Sequence, residues 1–301
     1  MPALASRASA QAIRAFHLLA SRINSENTEA SKVNPAKPSY PVISAERDGG
    51  NKQGRYAGHM GTIPPAGGLY RFTGLDAAAF GLYVSLAAVL SLATAPVTGF
   101  VQRVFPDPAT AVFAINLAFY ASVGLFAVAA AWRVIARDLL ILATRPWFTL
   151  AMIPLSIVVM LVITAILVTV TGSAKSSQNQ LGLQSLVLQL PAWFVVPLLV
   201  VFGPFVEEYL FRHLLIGKLS RRVNIWLCCA LSVLCFAAIH VVGREGLVLP
   251  ALAPYLGMGV VLVAVYVWTG KNVMFSYFVH AAKNLLAVAL IYAIPPQLLG
   301  G

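Results

Sequence analysis

The sequence predicts an all-α, polytopic integral membrane protein with about seven transmembrane helices behind a basic, polar N-terminal tail. Hydrophobic residues fill 59% of 301 positions and charged residues only 10%, with a mean hydropathy of +0.81, a balance foreign to ordinary soluble domains. The apolar residues come in runs of roughly twenty, the length a helix needs to cross a bilayer core. Pro, Gly and charged residues punctuate nearly every gap between those runs.

Taken in order, residues 1–75 read as a basic, disordered cytosolic tail and linker. Residues 1–25 lack acids, contain Arg7, Arg14 and Arg22, and suit either a surface helix or disorder, with an organelle transit peptide as the alternative. The Gly/Pro-rich stretch from Asp48 to Gly68 reads as linker. Spans are expected at 76–100, 109–132 and 147–171, forming an N-terminal group of three. Four more, at 191–217, 225–243, 249–269 and 272–294, belong to a second unit covering 172–301. Cys228, Cys229 and Cys235 fall in one apolar run and are expected to be unpaired.

The net charge of +11 is spread over the tail and short loops, where it reports topology and contact with anionic lipid. No nucleic-acid motif accompanies it. Basic residues follow the second span (Arg133, Arg137, Arg145), the fourth (Lys218, Arg221, Arg222) and the sixth (Lys271). The intervening loops offer only Arg103, Lys175 and Arg244. Positive-inside counting therefore expects a multi-pass protein of the cell membrane with a cytosolic N-terminus and an external C-terminus.

Charged groups inside spans cost roughly 2.5–3.5 kcal/mol each on insertion scales, so they mark function by default. Apart from Asp76 at a span entrance, the carboxylates expected inside spans are the adjacent Glu207 and Glu208. Arg212 lies one helical turn from Glu208 and suits an ion pair, while Glu207 points about 100° away and stays free for general-base work. His240 and His280 are the histidines expected at membrane depth, with His213 near the cytosolic end of the fourth span. Asn284 shares the face of His280 and suits an oxyanion donor, and Lys283 lies beside that face. Counted from the cytosolic flanks, Glu207 lies about 16 Å deep, His280 about 13 Å and His240 about 27 Å. Straight, upright helices would keep these apart, so convergence requires the fifth span to start late or tilt, with Arg221 to Trp226 along the interface.

The motifs Glu207-Glu208-x-x-x-Arg212, Phe236-x-x-x-His240 and His280-x-x-x-Asn284, in that order on helices, resemble those of the CPBP intramembrane proteases, also called the CAAX-protease or Abi family. Gly257 and Tyr266-x-x-Thr269-Gly270 resemble the link to the last motif, and Ser177-Gln178-Asn179-Gln180 is a weaker match at the start of a region spanning roughly 175–295. The resemblance implies an endopeptidase that hydrolyses a membrane-associated protein or peptide substrate with activated water. It implies Glu207 as base, Glu208 with Arg212 as brace, His240 as partner of the water, and His280 with Asn284 as transition-state stabilisers. A glutamate and two histidines also make a donor set for catalytic zinc, whereas the resemblance equally implies a metal-free, glutamate-dependent site; both stand. Two other classes fit the polar residues: a non-proteolytic membrane partner such as an immunity or accessory protein, and a proton-coupled transporter.

Overall fold

The computed structural model describes residues 68–172, 178–242 and 247–294. Among these residues the structure is helical, without strands, and six helices are long and apolar enough to cross a membrane. The protein is an all-α, multi-pass membrane protein. Most of the tail, with Lys175, Ser177, Arg244 and Gly301, lies outside the described residues.

Helix α1 (Gly74–Leu92) begins at a capping box in which Thr73 and Asp76 satisfy each other's backbone amides. The expected first span breaks at Ala93, giving a short α2 (Thr94–Gln102). Pro96 supplies the reason, because proline offers no N–H and crowds the carbonyl four residues earlier. Helix α3 (Pro108–Thr144) starts with Asp107 capping Thr110 and runs for 37 residues, so Arg133 and Arg137, expected in a loop, lie inside it. The buried guanidinium of Arg137 is neutralised by its neighbour Asp138 at 2.5 Å. Asp138 is thus a further carboxylate inside a span-length helix, which corrects the restriction to Asp76, Glu207 and Glu208.

Helix α4 (Pro146–Thr171) ends at Gly172 in the left-handed conformation, and α5 (Gln178–Gln189) fills a stretch not expected to be helical. Pro191 precedes α6 (Ala192–Arg221). Two stretches of α6, Pro197–Phe202 and Tyr209–Lys218, take the wider π-helical register around an α-helical Gly203–Glu208. Asn224 caps α7 (Ile225–Val241), whose 17 residues reach about 25 Å and fall short of a full bilayer core. Helices α8 (Leu249–Trp268) and α9 (Val273–Ala293) follow, and the cysteines are unpaired as expected.

Helices α6 and α8 are the innermost, while α1 and α4 are covered least. The core joins Val123 and Ala127 of α3, Val206 and Leu210 of α6, Phe236 of α7, Leu262 of α8 and Val279 of α9. The exposed apolar residues of α4, such as Trp147, Leu150 and Val170, suit a surface solvated by lipid rather than water. Gly257 explains itself here: a Cβ would lie 2.7 Å from Thr164 Oγ1 and 3.1 Å from Thr164 Cα, so only glycine lets α8 approach α4 this closely.

A second buried polar group ties the chain together where the basic residues gather. Lys218 Nζ donates to both oxygens of Asp76 at 2.6 Å, and Tyr209 donates to the same carboxylate at 2.6 Å. Tyr70, in the stretch read as tail, donates to the Lys271 carbonyl and accepts from Arg137. Its ring and that of Tyr209 flank His213, which lies near the end of α6 and is fully buried.

Candidate active site

The site is built around the α-helical turn of α6 between its two π segments. Pro197 and Pro204 deprive this helix of two amide donors, and π-type turns recur at functional sites. In the π register the Gly203 N–H bonds Leu198 O, and the next carbonyl, Leu199 O, faces Pro204, which has nothing to donate. Asn284 Nδ2 of α9 supplies the missing bond at 2.9 Å. Asn284 thereby braces α6 with one of the two hydrogens of its amide, a use that follows from the proline. A Cβ at Gly203 would stand 3.3 Å from the Leu198 carbonyl oxygen, a tight approach within the same π turn, and in ordinary contact with the Tyr120 ring of α3 at 3.9 Å.

One turn further on, the two glutamates divide. Glu208 is fully buried and occupied on both oxygens. Oε1 accepts from His280 Nδ1 at 3.0 Å, and Oε2 accepts a short hydrogen bond from Ser276 and pairs with Arg212 Nε at 3.3 Å. The Arg212 guanidinium also lies over the Phe236 ring, 4.5 Å from its centroid. Glu207 is less enclosed: Tyr120 donates to Oε1 at 3.3 Å, while Oε2 stands 3.7 Å from His280 Nε2 and 4.0 Å from His240 Nε2.

The tautomers follow from these partners. His280 Nδ1 carries its proton toward Glu208, and His240 Nδ1 carries its proton to the Phe236 carbonyl at 2.7 Å, so the neutral His240 ring offers an Nε2 lone pair and the Nε2 atoms of both rings face Glu207. Phe236 accordingly has two uses: its carbonyl orients His240 and its ring packs on Arg212 and His280. Tyr255 stacks on the other side of His240 at 4.4 Å and accepts a hydrogen bond from Asn179 at 3.3 Å, which ties the weakly matched Gln178–Gln180 stretch to the site. Lys283 is close enough to Glu207 to act on it electrostatically, and its Nζ lies 3.4 Å from Asn284 Oδ1.

The histidines converge although α7 begins at Ile225 and so does not start late. The hairpin turn lies just after Arg221, and Glu207 and His240 each sit about 21–23 Å from it along their helices. Asp138 accepts from the Val273 amide at 2.6 Å, and its carbonyl accepts from Asn272 at 3.2 Å. This anchors the start of α9 about 9 Å inside the end of α3 and carries His280 to the same depth.

Tyr120, Tyr255 and Ser276 were missed by the motif reading. Ser276 was the most accessible of these, since it lies one turn before His280 on the same face. Glu207 and the two imidazoles are donors of the right types for zinc, but among the described residues no group of three such side chains is gathered at metal-binding geometry.

Comparison with known proteins converges on this segment. Residues 189–286 match the family described as "Type II CAAX prenyl endopeptidase Rce1-like". The chain is 28% identical over 145 residues to the "Membrane-embedded CAAX protease MroQ" of Staphylococcus aureus (strain USA300), covering 46% of this chain and 55% of that protein. It is 33% identical over 99 residues to the "UPF0177 protein YbdI" of Lactococcus lactis subsp. lactis (strain IL1403), covering 33% of this chain and 50% of that protein. The chain thus spans about half the length of these curated relatives. No solved structure matches.

Proposed function

Through residues 189–286 this chain belongs to the CPBP, or CAAX-protease, family, and from that premise we propose that it is an intramembrane endopeptidase hydrolysing a membrane-associated protein segment. The observation that supports the reading best is the convergence of two imidazole Nε2 atoms on the open carboxylate oxygen of Glu207. A water held among them donates one proton to Glu207 and the other to His240, whose neutral carbonyl partner keeps it an acceptor. Glu207 takes the first proton as the water attacks the scissile carbonyl. It then returns that proton to the leaving nitrogen.

His280 differs from His240 because its Nδ1 proton faces a carboxylate. Glu208 is the counter-charge that lets His280 enter the step protonated on both nitrogens, so that Nε2–H gives a hydrogen bond to the developing oxyanion and keeps its proton, as the aspartate of a catalytic triad supports its imidazolium. Arg212 and Ser276 hold Glu208 for that task, and Asn284 holds α6 in register. The catalytic unit is 172–301, with the three-helix group 76–171 contributing Tyr120 and the basic segment before it lying in the cytosol. The protein sits in the cell membrane with its C-terminus outside.

The test compares membrane proteomes, by new-terminus profiling, of cells expressing the wild-type chain and Glu207→Gln at equal membrane abundance. New termini that need Glu207, and disappear likewise with His280→Ala, are expected; an identical terminus profile for all three refutes the assignment. Chelation followed by zinc add-back on a cleaved substrate decides between the metal and glutamate-dependent forms. A reporter fused after Gly301 is expected outside the cytosol, and one inserted near Arg221 inside it.

A further inference from the structure

We propose that the cavity between the start of α1 and the end of α6 binds one anionic phospholipid, with its phosphate on Arg71 and Arg222 and an acyl chain along Phe80 and Leu214. The cavity measures about 560 Å³, within the usual range of small-molecule sites. It lies apart from the glutamate–histidine centre and shares no residue with it.

Its lining is graded in polarity. Arg71, Arg221 and Arg222 form one rim. Leu214 and Leu215 precede Arg222 by about two turns of α6 and therefore line the cavity roughly 10 Å deeper. Phe72 and Phe80 are 60% and 50% exposed and complete an apolar wall. A charged rim above an aromatic and aliphatic wall matches an amphiphile lying along the helices, not a free inorganic anion, which would leave the wall uncovered.

The sign of the charge selects the headgroup. Lys218 also lines the cavity, but its ammonium is already neutralised by the buried Asp76 at 2.6 Å. Among the described lining residues there is no carboxylate, so the charges of Arg71 and Arg222 meet no compensating acid among the residues that line the cavity. Guanidiniums bind phosphate oxygens with paired, charge-assisted hydrogen bonds. A zwitterionic headgroup would bring its own cation into this field with no acid to receive it.

The rim is also held in place. Tyr70 is fixed by its bonds to Lys271 O and Arg137, and Thr73 by the capping box with Asp76. Arg71 and Phe72 lie between these two anchors, so the loop presents them in a defined position although both are solvent-facing. Ordering entropy for this part of the site is therefore already met before the lipid arrives.

The experiment is native mass spectrometry of the full chain in detergent, titrated with phosphatidylglycerol or with phosphatidylcholine of the same chains. One retained phosphatidylglycerol is expected, and Arg71→Gln with Arg222→Gln should weaken it about tenfold or more. Arg133→Gln with Arg145→Gln, which removes two exposed charges elsewhere, should leave it unchanged. Phe80→Ser should weaken lipid retention as well, and millimolar inorganic phosphate should fail to displace the lipid. Equal loss in both arginine pairs, equal retention of phosphatidylcholine, or displacement by phosphate would overturn the proposal. Size-exclusion profiles of the variants check that each remains folded.

Discussion

Glu208 and Arg212 form an ion pair with both side chains at 0% exposure, yet their supports are unequal. Glu208 keeps Ser276 and His280 if Arg212 is removed. Arg212 has no side-chain hydrogen bond among the described residues beyond its ion pair, and only the Phe236 ring for further company. Glu208→Gln therefore leaves a bare buried cation and should cost about 3–5 kcal/mol, the range for breaking a buried pair from one side. Arg212→Met keeps the stem volume and leaves a carboxylate that still accepts two bonds, so a loss nearer 2 kcal/mol is expected. At roughly 2–4 °C per kcal/mol, Glu208→Gln should lower the melting temperature by about 6–20 °C. The double variant should melt above the sum of the singles, with a coupling of about 1–3 kcal/mol, while remaining inactive because His280 has lost its counter-charge. Melting of detergent-purified protein, followed by tryptophan fluorescence, measures all three. Additivity within about 0.5 kcal/mol, or a larger loss for Arg212→Met than for Glu208→Gln, would refute this assignment of roles.

At the other buried pair, Asp76→Ala strips Lys218 of its counter-charge and α1 of its capping box, so a loss of about 3–5 kcal/mol is expected, with Lys218→Met milder; melting curves in which Asp76→Ala costs under about 1 kcal/mol would contradict the pairing. Gly257→Ala forces a Cβ onto the Thr164 backbone and should cost about 1–3 kcal/mol. Adding Thr164→Ala should restore only part of that, because Thr164 Cα is itself 3.1 Å from the new carbon, and full recovery in the double variant would show the contact to be with the hydroxyl alone. Burial holds the Lys271 ammonium, in the loop before α9, below the usual lysine range. The unfolded chain therefore binds that proton more tightly, and stability should rise as pH climbs from the depressed folded value toward about 10.4. Lys271→Met should flatten this part of the melting profile, and an unchanged slope would exclude Lys271 as its source.

The spans were legible from composition and run length because a bilayer imposes a minimum apolar length, a constraint that acts locally on the chain. The glutamates, histidines and arginine were legible for a related reason: a charged group in such a run is costly enough to stand out singly. The pairing of Glu208 with Arg212 needed only the helical period, and it is present at 3.3 Å. Depth was different. Counting along upright helices separated His240 from Glu207, whereas the position of the α6–α7 turn and the Asp138 anchor under α9 bring both histidines to the same carboxylate. The bracing bond of Asn284 was hidden because only its own helix was in view; the carbonyl it satisfies is orphaned by Pro204, far away in sequence. Arg137 and Asp138 read as loop residues because each alone is too polar for a span, and only their mutual neutralisation makes a 37-residue helix tolerable there. Sequence by itself determined which residues are apolar enough to cross a membrane and which charges are too costly to be incidental, since both are properties of short stretches of chain. Tertiary structure alone decided which of those charges meet and which of their hydrogen bonds remain open for chemistry, because that depends on how helices distant in sequence set one another's height and rotation.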